Sequence, residues 1–173
     1  MVALLAVCPI RVKNFAGLEI GVTFKEAHGS RWITLPFKST KTKGLEERPV
    51  PELLNHAIDL YLKQARTFLI GTRPKTNFLW ISSRTGQRYT TKNLGTLISK
   101  ITFLTVGVDV SPHLFRTAGA ITAAMYGGDN PYLASAFLGH SDPRVAHEHY
   151  IRPTTVNAAK EWGAIVRQYR TPS

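Results

Sequence analysis

The sequence predicts an α+β fold, mainly α with a small antiparallel β-sheet near the N-terminus. Three observations carry that prediction. Strand-like apolar runs are confined to residues 17–51 and are separated by polar, Gly-bearing turns. From Pro51 onward, apolar residues recur at helical spacing between polar-Pro starts and Gly stops. The length, 173 residues, suits one domain with one core, and 43% hydrophobic with 10% aromatic residues excludes a disordered tail.

Taken in order, residues 2–14 read as helical, with Pro9 kinking or interrupting the run. Residues 17–24 alternate and read as a strand, and 32–37 (Trp32 to Phe37) as a second. Residues 48–51 read as the end of a third strand, whose Pro49 and Pro51 imply a sheet edge. Between the last two lies a basic, Gly-bearing turn at 38–44, a cationic hairpin tip. Leu53, Leu54, Ala57, Ile58, Leu60, Tyr61 and Ala65 give helical spacing from Pro51 to about 68. Phe78 to Ile81 form a short apolar element, followed by a turn at 82–88. Thr90 or Thr91 can cap a helix bearing Leu94, Leu97, Ile98, Ile101, Phe103 and Leu104, ending near Gly107. Ser111-Pro112 starts a helix that runs to 126 and stops at Gly127-Gly128. Asn130-Pro131 starts another, ending at Gly139, and Asp142-Pro143 a third, through Tyr150. A last helix, 154–169, carries Val156, Ala159, Trp162, Ile165, Val166 and Tyr169 along one side.

Charge points to the partner class. The chain holds 22 Lys+Arg against 11 Asp+Glu, a formal net charge of +11. Such an excess on a small domain favours a polyanion, nucleic acid ahead of an anionic membrane. No acidic residue stands between Asp59 and Asp109, a stretch carrying Lys63, Arg66, Arg73, Lys75, Arg84, Arg88, Lys92 and Lys100. No run approaches the roughly 20 apolar residues that span a bilayer. The apolar opening, Met1 to Pro9, lacks the basic segment and cleavage site of a signal peptide. It reads instead as the middle of a buried helix, so a missing upstream part is expected. The single Cys permits no internal disulfide, which suits a reducing compartment, and Cys8 reads as a small buried hydrophobe. A cytoplasmic protein working on DNA is expected.

The chemistry-bearing residues cluster at 113–150. His113 and Arg116 lie three apart on one helix face, Gly139-His140 follows a helix stop, and Tyr150 comes ten residues later. These types suit phosphoryl transfer: Arg grips two phosphate oxygens, His donates or shuttles a proton, and a deprotonated Tyr can attack phosphorus. Singly, each has an ordinary structural role, such as a capping His, a surface ion pair, a turn residue or a packed ring. Their combined order is more informative than any one of them.

That order resembles the catalytic domain of the tyrosine recombinase, or phage integrase, family. Ser111-Pro112-His113-x-x-Arg116-Thr117 is similar to the family's second signature box, and Leu138-Gly139-His140-Ser141 to its third. Tyr150-Ile151-Arg152 is similar to its nucleophile segment. The resemblance implies two upstream residues: an Arg after an apolar helix, where Arg11 stands, and a hairpin Lys eight residues before the Pro of a Val-Pro pair. Lys43, ahead of Val50-Pro51, matches that wording, with Lys38 and Lys41 as neighbours in the same turn. Pro9 and Asn14 depart from the family's usual Gly and Glu, and the His140–Tyr150 spacing is one residue longer than the commonest.

The resemblance covers essentially the whole chain and implies a catalytic domain over 1–173, with the family's usual N-terminal DNA-binding domain absent. It implies Tyr150 as nucleophile on a scissile phosphate, forming a 3′-phosphotyrosyl link. Arg11 and Arg116 would clamp the non-bridging oxygens, His113 and His140 would hydrogen-bond the phosphate, and Lys43 would protonate the leaving 5′-oxygen. No metal and no cofactor is implied. The partners implied are double-stranded DNA, contacted through Lys41, Arg88 and Lys92 among others, and further protomers in a tetramer on two sites. The final helix docks either on a neighbouring protomer or on its own domain. Type IB topoisomerase-like nicking and closing, and an inactive DNA-binding relic, are the alternatives. A metal cluster of His140, Asp142, His147 and His149 is disfavoured, because residues two apart on a helix point away from each other.

Overall fold

The opening apolar run folds as two helices rather than one kinked helix: α1 (Val2–Val7) and α2 (Val12–Ala16). They are parted at Cys8–Arg11, where the proline ring can neither donate a hydrogen bond nor continue the turn. The structure, a computed structural model, describes residues 1–36 and 46–126. The chain divides into two compact units, Met1–Thr117 and Ala118–Ser173. The account below concerns the first, apart from the end of its last helix.

The strand expected at 17–24 is corrected. Residues 18–20 make only a short bridge to residues 77–79, with Leu79 N–H donating to Leu18 O and Ile20 N–H to Asn77 O. The chain then turns at Gly21, whose φ of +80° disfavours any residue with a Cβ. Glu19 drives that turn: its carbonyl accepts from Thr23 and Phe24 N–H, and its own N–H donates to Thr23 Oγ1 at 2.7 Å. Alternation alone could not foresee this local hydrogen bonding.

The sheet that does form has three antiparallel strands in the order β1 (Phe24–Ala27), β2 (Ser30–Leu35), β3 (Glu46–Pro49). A two-residue hairpin at His28-Gly29 joins the first two, with φ of +52° and +75°. Phe24 pairs with Ile33, and Trp32 with Pro49. As its prolines required, β3 lies at an edge. The second strand begins and ends two residues earlier than its sequence suggests, because the tight hairpin pulls Ser30 and Arg31 into the ladder.

The helix expected from Pro51 runs from a 3-10 turn (Glu52–Leu54) through α3 (Asn55–Leu60), a π-helical turn (Tyr61–Ala65) and α4 (Arg66–Ile70). At the π turn, Tyr61 sends its hydroxyl 2.7 Å to Leu79 O and sets its ring 5.1 Å from that of Trp80. Next come α5 (Thr91–Val106) and α6 (Pro112–Tyr126), both where the capping signals put them. Thr90 Oγ1 accepts from Asn93 N–H at 3.2 Å, and Gly107 closes α5 in the left-handed region.

One core joins these elements. Leu4 and Leu5 of α1, Phe15 of α2, Ile33 and Leu35 of β2, Ile58 of α3, Leu79 and Trp80, and Leu94 and Ile98 of α5 are all buried. On α5 the buried stripe is Leu94, Ile98 and Thr102, an i, i+4, i+8 row. Phe103 and Leu104, counted from sequence among that helix's apolar residues, are exposed.

Candidate functional site

The site expected from sequence begins at the break between α1 and α2. Cys8 O accepts from Ile10 N–H at 2.8 Å, so Pro9 is the centre of a γ-turn. Arg11 follows in extended conformation, φ −60° and ψ 139°, at the N-cap of α2 and half-buried. Its carbonyl accepts from Phe15 N–H at 2.9 Å. Cys8 Sγ–H points at Pro49 O, 3.8 Å away, linking the break to the end of β3. Burial pushes the Cys8 thiol up to about 11, with the Arg48 guanidinium pulling the other way. Asn14, where a Glu would be usual, is buried on α2.

The second element is α6, held by its predecessor. Thr102 Oγ1 donates to Ser99 O and accepts from Val110 N–H, both at 2.9 Å, which fixes the loop after α5. That buried hydroxyl is therefore satisfied on both sides. Leu114 N–H donates to Ser111 O at 3.0 Å as the helix opens. His113 lies exposed in the first turn. One turn on, Arg116 donates from Nη1 to Pro9 O at 2.5 Å. This bond joins residues 107 apart in sequence and brings Arg116 to the turn that presents Arg11. Of the remaining site residues expected from sequence, Lys43, His140 and Tyr150 lie outside the described residues.

The basic stretch divides into two kinds of arginine. Arg66 donates from Nε and Nη2 to Phe78 O, at 3.2 and 3.0 Å, and from Nη2 to Thr76 O. Arg73 donates to Leu69 O at 3.0 Å and Arg84 O at 3.4 Å. Both use their forks to hold the backbone of the 76–88 region, a role the charge run did not reveal. Arg88, exposed as Arg73 is, instead sets its guanidinium carbon 5.1 Å from the Phe78 ring centre, and Lys92 is exposed in the first turn of α5. Lys41 lies outside the described residues.

A cleft of about 450 Å³ opens between α2, the end of β2 and the entry to α5. Lys13, Arg88, Thr90 and Thr91 are among its lining residues, and among the described residues no carboxylate is. Sequence reasoning missed Lys13, although its place two residues after Arg11 was a usable signal. Among the described residues, no three His, Cys, Asp or Glu side chains gather as a metal site, and no helix is long and apolar enough to cross a membrane. The His140 to His149 cluster weighed above lies outside them.

Comparison with solved structures defines the fold class: the chain has the fold of the tyrosine recombinase and integrase catalytic domain. It is similar to XerA recombinase, at 17% identity and a TM-score of 0.64, over 98% of this chain and 55% of that one. It is similar to XerH site-specific recombinase bound to palindromic difH substrate in a post-cleavage complex, at 15% identity and a TM-score of 0.70, over 94% and 44%. A third likeness is to the Tn1549 transposon integrase in complex with transposon right-end DNA, at 19% and 0.63, over 92% and 57%. The chain thus spans about half the length of these proteins. No family profile and no curated protein sequence matches it.

Proposed function

We propose that residues 1–173 form the strand-transfer domain of a site-specific DNA recombinase or integrase. The observation that carries the reading is the Arg116–Pro9 hydrogen bond, which brings the second-box arginine to the segment bearing Arg11. The fold, the net charge of +11 and a cleft whose described lining carries Lys13 and Arg88 but no carboxylate support it further.

In this reading Tyr150 attacks the scissile phosphorus. A P–O bond to the phenol oxygen forms as the bond to the 5′-oxygen breaks. The phenol proton passes to a base, for which His113 is the candidate, and Lys43 supplies a proton to the departing 5′-oxygen. Arg11 and Arg116 stabilise the charge that builds on the non-bridging oxygens, and His140 donates a hydrogen bond to the same phosphate. The 3′-phosphotyrosyl link retains the bond energy, so attack by a 5′-hydroxyl reseals the strand with no nucleotide consumed. The exposed Lys13, Arg88 and Lys92, together with Lys41, add affinity for the backbone rather than sequence choice. Assembly on two DNA sites, with further copies of the chain, completes the exchange.

The test is covalent trapping on a library of nicked random-sequence duplexes, read as an adduct resistant to denaturing detergent. Wild-type protein is expected to form the adduct, and Tyr150→Phe to bind DNA without forming it. An adduct that persists in Tyr150→Phe overturns the assignment of the nucleophile. Binding without an adduct in the wild type favours the inactive DNA-binding relic.

A further inference from the structure

We propose that Pro9 is a positioning residue for the two arginines of the strand-transfer site; the proposal rests on the function proposed above. Pro9 stands where the resembling family usually carries Gly. Its ring is fully buried, and it is the centre of the turn closed by Ile10 N–H on Cys8 O at 2.8 Å. The peptide on its C-terminal side does two things at once. Its carbonyl accepts from Arg116 Nη1, and its N–H belongs to Ile10, the residue that leads directly into Arg11.

Rotation about the Pro9 N–Cα bond would swing that peptide and so move the acceptor of one arginine and the backbone of the other together. Proline fixes φ near −65°, close to the value a γ-turn centre needs, so the ring restricts that rotation. Glycine there would leave the turn free to sample both signs of φ. The arrangement is buttressed on either side. Cys8 N–H closes on Leu4 O at 2.8 Å, and Cys8 Sγ–H points toward Pro49 O. The turn is therefore anchored to α1 and to β3. The rigid ring supplies locally what a flexible Gly would leave to its surroundings, and one peptide unit sets the spacing between Arg11 and Arg116.

Two readouts on the full chain test this. The first needs no DNA: nitrogen NMR of the Arg116 guanidinium, which reports rotation about its Cζ–Nε bond. Rotation is expected to be slow in the wild type, faster in Pro9→Gly, and close to wild type in Pro9→Ala, whose φ stays negative. The second uses the nicked duplex library. Pro9→Gly is expected to lower the adduct-forming rate about tenfold, the scale of one charge-assisted hydrogen bond, with affinity for the duplexes within about twofold. In an Arg116→Lys background, the same change is expected to add little further loss. Unchanged guanidinium rotation in Pro9→Gly overturns the proposal, as does a rate loss that Pro9→Ala shares in full. Failure of the wild type to form any adduct would sink the function proposed above, while the rotation measurement would still decide the role of Pro9 in holding Arg116.

Discussion

Replacing Trp80 with phenylalanine should cost far less stability than its place in the core suggests. Trp80 is 2% exposed and packs between Phe15 and Tyr61, with ring centres 5.2 and 5.1 Å away. Its indole N–H is buried and has no hydrogen-bond partner among the described residues. Trimming the indole to a phenyl ring loses roughly 40 Å² of buried apolar surface, about 1 kcal/mol. Incomplete collapse of the vacated space adds about 1 kcal/mol more. Against this, removing an unsatisfied buried donor recovers roughly 1–3 kcal/mol. The terms nearly cancel, so Trp80→Phe should lie within about 1 kcal/mol of wild type, a Tm shift of no more than about 4 °C for a chain of this length. Trp80→Ala, which forfeits the ring altogether, should lose roughly 3–5 kcal/mol. Urea unfolding followed by circular dichroism measures both. A loss of about 2 kcal/mol or more in Trp80→Phe would refute the cancellation and show that the indole N–H is satisfied in solution.

Arg66→Lys keeps the charge but cannot span Thr76 O and Phe78 O together, so it should destabilise the chain by about 1–2 kcal/mol while leaving the salt dependence of DNA binding unchanged. A reduced salt slope with unchanged stability would show that Arg66 contacts phosphate instead. Cys8 has its thiol pushed up to about 11 in the folded chain, against about 8.5 for an ordinary thiol. The folded state thus holds this proton more tightly than the unfolded state. The associated stability is fully present below about pH 8.5 and is lost as pH rises toward about 11. At pH 8, Cys8 should react with a disulfide reagent at least tenfold more slowly than in urea. Equal rates would contradict its burial.

Much of the fold was legible because it is written in local chemistry. A polar cap before Asn93, a Gly after Val106 and the Ser111-Pro112 pair mark helix ends that depend on neighbours a few residues away. The edge position of β3 follows from prolines that cannot donate to a ladder. The strand expected at 17–24 failed for a local reason that alternation does not encode: Glu19 and Thr23 hydrogen-bond each other and turn the chain at Gly21. The His28-Gly29 hairpin was likewise missed, since a non-Gly residue at positive φ has only a weak sequence signature.

For the site, sequence order pointed to His113, Arg116, His140 and Tyr150, the family resemblance of that order added Arg11 and Lys43, and the charge run indicated a polyanion. It could not separate arginines that hold backbone from those that face outward. A guanidinium's partner is set by which carbonyls packing leaves within reach, and charge counting carries no such information. The meeting of Arg116 with Pro9 is of the same kind. Helical spacing predicts neighbours three or four residues apart, whereas this contact spans 107. Element types, cap positions and the order of chemistry-bearing residues were thus determined by the sequence itself, because each depends on residues close along the chain. The pairing of Arg116 with the turn before Arg11, and the commitment of Arg66 and Arg73 to carbonyls, were decided only by tertiary packing, which alone sets which distant backbone groups meet.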